Sequence, residues 1–254
     1  MTSTEDLRLE LDGPVATVTL HRPDALNAQT PATWEALRGF GRDLPGDVRV
    51  VVVRGEGRAF SAGLDLNVAG GGDGSSLAAL AALPPDQAAD RIASYQEGFT
   101  WLHRPDIVSV AVVQGHAIGA GFQLALACDL RVLADDAQLS MAEVTLGLVP
   151  DLAGTKRLVD LVGYARALEI CVTGRRISAI EAGRLGLATV VVPRADVDGA
   201  AADLVAALLA GNRDAVVEIK ALLAGAASRT PAEQHRAERE AQVRRLRDLA
   251  GLGE

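Results

Sequence analysis

Ile107-Val-Ser-Val-Ala-Val-Val113, running straight into Gln114-Gly-His-Ala-Ile-Gly-Ala-Gly-Phe-Gln-Leu124, is the stretch on which the fold turns. Its first half is a nearly continuous apolar run. That is the pattern of a strand buried on both faces, as in a parallel sheet covered by helices. Its second half predicts a tight turn at Gly115 and, from Gly119 through Cys128, apolar spacing of helical period. A buried strand feeding a helix is the building unit of an α/β domain. The first N–H groups of such a helix have no intrahelical acceptor, so Ala120 could offer a donor to a carbonyl oxygen on which negative charge develops. Gly115, Gly119 and Gly121 lack the dinucleotide-binding spacing and no acidic ribose partner is evident, which leaves a nicotinamide-binding reading distant.

Outward from this stretch, Val15 to Leu20 and Val48 to Val53 read as β-branched strands flanking a helix from Thr30 to Phe40. Gly55 to Gly63 is rich in turn residues. Residues 67 to 86, with a Gly/Ser-rich part from Ala69 to Ser76, read as a mobile excursion. A helix follows over Gln87 to Trp101, broken at His103-Arg104-Pro105. Beyond the central helix a strand is predicted at Leu130 to Leu133, then a loop holding Ser140, Met141, Glu143 and Gly147, where the sheet is expected to end. Helices over 154–162, 164–173 and 178–184 and a short extended piece at Val190 to Val192 come next. Three more helices, near 196–210, 212–224 and 231–248, have alanine-rich faces suited to covering the core or meeting another subunit. No repeat and no interdomain linker is evident, so 1–254 is read as one domain: an α/β core to about residue 190 and a helical region from 191 to 254.

Composition narrows the classes further. Half the chain is apolar (49%) but aromatics make up only 3%, so Val, Leu, Ile and Ala must fill the interior. With 25 Lys and Arg against 33 Asp and Glu, the net charge of -8 argues against a nucleic-acid surface. The N-terminus lacks an apolar signal segment and no stretch has the uninterrupted apolar length of a membrane span, so a cytoplasmic protein is expected. Cys128 and Cys171 sit in apolar helical patterns and read as reduced core thiols. Four histidines without HxH or HExxH spacing make a protein-bound metal improbable.

Two further segments carry chemistry-bearing residues. Arg58-Ala-Phe-Ser-Ala-Gly-Leu-Asp-Leu66 has small residues that let a ligand reach backbone N–H groups; a plain turn into a helix, with Asp65 near its N-terminus, reads equally well. Ser140 to Lys156 holds Glu143 and Asp151, and Pro150 argues for a loop between them. A carboxyl group beside an apolar pocket has its pKa pushed up and can exchange protons near neutrality. Asp151 reads also as the cap of a helix starting near Leu152.

At these residues the chain resembles the enoyl-CoA hydratase/isomerase (crotonase) superfamily, over about residues 10 to 225. The resemblance rests on Arg22-Pro-Asp-Ala-Leu-Asn-Ala28, Ala59-Phe-Ser-Ala-Gly-Leu-Asp-Leu66 and Gln114 to Gly121. Further on it rests on Leu146-Gly-Leu-Val-Pro150, Gly154-Thr-Lys-Arg-Leu158 and Ala182-Gly-Arg-Leu-Gly-Leu-Ala188. It implies a β-β-α spiral core with a helical C-terminal region, assembly into a homotrimer or hexamer, and an acyl-CoA thioester as substrate, with CoA part of that substrate and no separate cofactor. It implies the backbone N–H groups of Leu64 and Ala120 as an oxyanion hole, and Ala25, Leu26, Ala62, Asp65 and Leu66 along CoA. Glu143 is implied as the acid/base, in hydration or double-bond isomerisation of an enoyl-CoA.

Two features depart from the common pattern. Gln123 stands where two-carboxylate hydratases carry their other glutamate, and an amide can orient water but cannot take its proton. Asp151 stands where dienoyl-CoA isomerases and aromatic acyl-CoA dehalogenases place an aspartate, so the resemblance implies a relocated second carboxylate. Those relatives pair it with an acid at the Gln123 position or a histidine near the first oxyanion segment, and both are missing here. A dienoyl-CoA isomerase, another acyl-CoA-transforming enzyme and a non-catalytic CoA-thioester binding protein therefore stand as alternatives.

Overall fold

The computed structural model describes residues 6–69 and 77–253, without the side chains of residues 68 and 69. The chain opens with a hairpin of β1 (Leu7–Asp12) and β2 (Val15–Leu20), turned at Gly13, and crosses through α1 (Pro31–Asp43) to β3 (Val50–Gly55). Thr30 and Thr33 cap α1 reciprocally, with Pro31 at its first turn, so this helix starts where local chemistry satisfies its free N–H groups. Short helices α2 (Leu66–Ala69) and α3 (Leu77–Ala81) lead to α4 (Pro85–Thr100), and β4 (Val108–Val113) returns to the sheet. A three-residue β5 (His116–Ile118) precedes α5 (Ala120–Ala127), then come β6 (Leu130–Ala134) and β7 (Gln138–Ser140). Helices α6 (Gly154–Val162) and α7 (Tyr164–Thr173), strand β8 (Ile177–Ser178), helix α8 (Ala179–Arg184) and strand β9 (Val190–Val192) complete the core. Three helices close the chain: α9 (Val197–Ala210), α10 (Arg213–Gly225) and α11 (Pro231–Leu249).

The main sheet has the order β1-β2-β3-β4-β6-β9, parallel except for the first hairpin; a second, smaller sheet runs β5-β7-β8. Strand alternation splits the interior in two. Val51, Val53, Ala111 and Val113 face the large core with α1, α4 and α5, whereas Val50, Val52, Val110 and Val112 face α9 through Val197 and Ala201. All six residues of β4 are buried, as its apolar run predicts. The fold is the α/β spiral with a helical C-terminal region. Every residue of α5 is buried too, and its last carbonyls are capped by Arg131, which donates to Cys128 O (2.6 Å), Leu187 O (2.6 Å) and Ala125 O (3.4 Å). Burial lowers that guanidinium to about 10, still charged at neutral pH, and its cation sits at the negative end of the helix.

Several expectations need correction. The sheet does not end at Leu133, because β9 pairs with β6 (Val132 opposite Val190) and β7 joins the second sheet. β1 was not anticipated: its Leu-Arg-Leu-Glu-Leu-Asp alternation puts charges on an exposed edge. The described part of the excursion over 67–86 holds the helices α2 and α3 and the start of α4 at Pro85, with 82–84 non-helical between them; residues 70–76, the bulk of its Gly/Ser-rich part, lie outside the described residues. Helix α6 starts at Gly154 with Ala153 as its N-cap in the left-handed region, so Asp151 does not cap it. Cys128 is buried and Cys171 half-buried, both free. No helix among the described residues is long and apolar enough to cross a membrane.

Candidate active site

Two turns meet at the carboxyl end of the central strands. The segment Phe60 to Leu64 runs beside β5 through Ser61 N–H to His116 O (2.8 Å) and Ile118 N–H to Ser61 O (3.0 Å). On its other side, Gln29 N–H donates to Gly63 O (2.7 Å) and Asp65 N–H to Gln29 O (2.8 Å). This pattern leaves the Leu64 N–H facing away from both ladders. Gly63 (φ +91°) must be glycine: a Cβ there would run into the Ile118 carbonyl and stand 3.6 Å from the Ala120 nitrogen. The turns are therefore back to back. The N–H groups of Leu64 and Ala120 make no hydrogen bond to any described residue, and both residues line a cavity of about 560 Å³.

A buried polar network fixes the first turn. Asn27 donates to Glu56 O and Ala59 O, Ser61 Oγ donates to Asn27 O (2.7 Å), and Gln29 bridges Ser61 Oγ and the Trp34 indole N–H. Sequence reading missed Asn27, Gln29 and Ser61 as supports. The available signal was the pair of amides Asn27 and Gln29 at the end of the Arg22 to Ala28 motif.

Glu143 opens a short 3-10 turn (Glu143–Leu146) and faces the cavity beside Gly119, where a Cβ would stand 3.3 Å from its Oε1. Gly119 has φ +51° and ψ -119°, a conformation reserved for glycine, which turns β5 into α5. Gln123 holds Glu143 in place: its Nε2 donates to Glu143 Oε1 at 2.7 Å, while its Oε1 accepts from Leu152 N–H (2.9 Å) and Gly154 N–H (3.3 Å). Those two N–H donors fix which end of the amide is oxygen. Glu143 Oε2 is sealed from solvent without a partner.

Asp151 lines the same cavity, with its carbonyl held by Gln96 Nε2 (2.8 Å), a support not foreseen from the sequence. Burial raises the Glu143 carboxyl above the ordinary carboxylate range; its own backbone N–H and Gln123 oppose the shift, and the neighbouring Asp151 charge adds to it. Burial raises Asp151 as well, against a bond from its own backbone N–H. Two carboxyls and two uncommitted N–H donors thus face one largely hydrocarbon cavity.

The residues expected along CoA divide. Ala62 and Leu66 line the cavity, and Leu66 is exposed. Ala25 and Leu26 lie outside it but beside Ala62, whose N–H donates to Leu26 O (2.9 Å). Asp65 is buried, its carboxylate turned inward to Arg22 (2.9 Å) and to the N–H of Asn67 (3.0 Å).

This geometry agrees with comparison to known proteins. A sequence model of the enoyl-CoA hydratase/isomerase family matches residues 10–248. The chain belongs to the enoyl-CoA hydratase/isomerase family. It is 37% identical to the carnitinyl-CoA dehydratase of Salmonella enteritidis over 235 residues, 91% of this chain and 84% of that one. Among solved structures it is similar to a candidate enoyl-CoA hydratase of Thermobifida fusca in complex with CoA. The identity is 52%, the alignment covers 97% of this chain and 95% of that one, and the TM-score is 0.91. A candidate enoyl-CoA hydratase of Thermobifida fusca in complex with acetoacetyl-CoA gives 51% identity, 96% and 95% coverage and a TM-score of 0.91. Membership in the enoyl-CoA hydratase/isomerase family bears out the resemblance read from the linked motifs.

Proposed function

We propose that the protein relocates a proton next to the thioester of an enoyl-CoA, shifting its double bond. The observation that carries this reading is the pair of uncommitted N–H groups, Leu64 and Ala120, on adjoining turns over the cavity that Glu143 faces. The thioester oxygen accepts from both donors. Glu143 carboxylate takes a proton from the α or γ carbon of the acyl chain, the C–H electron pair moves into conjugation with the thioester carbonyl, and negative charge collects on that oxygen. Return of the proton from Glu143 to a different carbon completes the isomerisation. A raised pKa suits a group that must both take and give a proton. Gln123 acts here as a positioning residue, since both ends of its amide are occupied by protein groups.

Hydration is the second reading, favoured by the Asp151 carboxyl in the same cavity. Asp151 would take a proton from water as oxygen bonds to the β carbon, while Glu143 supplies one to the α carbon. A panel of 2-enoyl, 3-enoyl, dienoyl and aromatic CoA thioesters, followed by mass and ultraviolet absorbance, separates the readings. Absorbance change at constant mass supports isomerisation; gain of one water supports hydration. Tight binding without conversion of any member would favour a CoA-thioester binding protein.

The same reading includes assembly into a trimer or hexamer through residues 191–254. Its support is the apolar surface of the last helices, where Ile219, Leu223, Val243, Leu246 and Leu249 are exposed.

A further inference from the structure

Beyond its two carboxyls, the cavity holds one side-chain group able to hydrogen-bond and not already engaged among the described residues. Trp34 donates its indole N–H to Gln29 (2.9 Å), Thr145 donates its hydroxyl to Ala142 O (2.7 Å), and Gln123 is committed at both ends. The exception is Tyr95 on α4. The residue is buried, 5% exposed, and its ring packs at 5.1 Å and 58° against Trp34. The hydroxyl makes no hydrogen bond to any described residue. Tyr95 lines the cavity. The hydrocarbon side chains of Leu64, Leu77, Leu80 and Ile92 line the same cavity.

We infer that Tyr95 is a specificity-determining residue that hydrogen-bonds an oxygen function carried on the acyl chain, so that the protein prefers oxygenated acyl-CoA thioesters over plain alkyl ones. The inference rests on the reading of this cavity as the acyl site. A rigid hydroxyl in a hydrocarbon wall is left unpaired by an alkyl chain and satisfied by a hydroxyl or carbonyl, and sites of this kind discriminate against the analogue that lacks the polar group.

The test is calorimetric binding of saturated straight-chain acyl-CoA thioesters, which cannot turn over by either route, against their ω-hydroxy counterparts of equal length. Across a series of lengths, at least one hydroxylated thioester should bind on the order of fivefold to tenfold tighter than its alkyl partner, the worth of one neutral hydrogen bond. In Tyr95→Phe, which removes one atom from a packed ring, that ratio should fall toward one. Binding of every pair without preference, or a preference that persists in Y95F, overturns the inference and leaves the acyl-CoA reading standing. Failure of all thioesters to bind overturns the acyl-CoA reading and, with it, this inference.

Discussion

Glu143 has one carboxylate oxygen tied to Gln123 and the other without a partner, so it is held in place yet poorly stabilised as an anion. Glu143→Gln (E143Q) should lower turnover on any enoyl-CoA substrate by about a hundredfold to ten-thousandfold, the range of a lost acid/base group. Stability should move the other way. Because the folded-state pKa is raised, the wild type loses stability as pH rises through that pKa, a loss E143Q does not suffer. The thermal midpoint of E143Q should exceed that of the wild type at neutral and alkaline pH, with the gap closing below the ordinary carboxylate range, measured by a melt series across pH. Asp151→Asn should cut turnover by about tenfold or more if its carboxyl handles a proton. A helix-cap role no longer competes as an explanation, since Ala153 occupies the cap position, so steady-state rates equal to wild type would remove Asp151 from the chemistry. Ala120→Pro deletes the donor at a position where helices accept proline. It should cost about 3 kcal/mol in the transition state, roughly a hundredfold in kcat, with CoA-thioester affinity falling less; a folded and fully active A120P would remove that N–H from the mechanism.

At the level of elements, the site depends on α5 and α6 being joined by one side chain. Gln123 on α5 reaches Leu152 and Gly154 at the start of α6 and Glu143 on the intervening turn. Gly154 permits this contact, since a Cβ there would lie 2.7 Å from the Gln123 side chain. Gln123→Glu keeps an oxygen for the two N–H donors but replaces the amide donor to Glu143 with a second acid. Like charges at that distance cannot both ionise freely. Q123E should therefore move the pH–rate profile upward and raise the ratio of hydrated to isomerised product, read by mass spectrometry of the two products. An unchanged ratio would show that this position does not decide between the reactions.

For the molecule as a whole, the contrast between α9 and α11 is instructive. α9 buries Val197 and Ala201 against the sheet, whereas α11 buries only Ala241 among its described residues and leaves Val243, Leu246 and Leu249 exposed. Arg244 and Arg245 tie α11 to Glu218 and Asp214 of α10, exposed ion pairs that add little stability by themselves. In the proposed assembly this exposed apolar face of α11 would meet another subunit. Sedimentation at working concentration should give a trimer or a hexamer, and an active monomer would refute both.

The amino-acid sequence by itself determined those parts whose burial is uniform or strictly periodic. The run Ile107 to Val113 predicts a strand covered on both faces, and the glycines at 63 and 119, with the linked motifs around them, predict turns that expose backbone donors to a ligand. Such features are local, so residue order alone carries them. The edge strand β1, the three-residue β7 and the place of the Val190–Val192 piece in the main sheet were not legible in the same way. β1 is a half-exposed edge whose apolar alternation is weak, whereas β7 and β9 pair with segments more than twenty residues away, as with Val190 beside Val132. The roles of the polar side chains were decided by the tertiary structure. It directs Asp65 to Arg22, gives Gln123 three protein partners across separations of 20 to 31 residues, and leaves the Tyr95 hydroxyl without one. A hydrogen bond requires atoms about 3 Å apart in a defined direction, and that condition is met or missed only once the chain has packed.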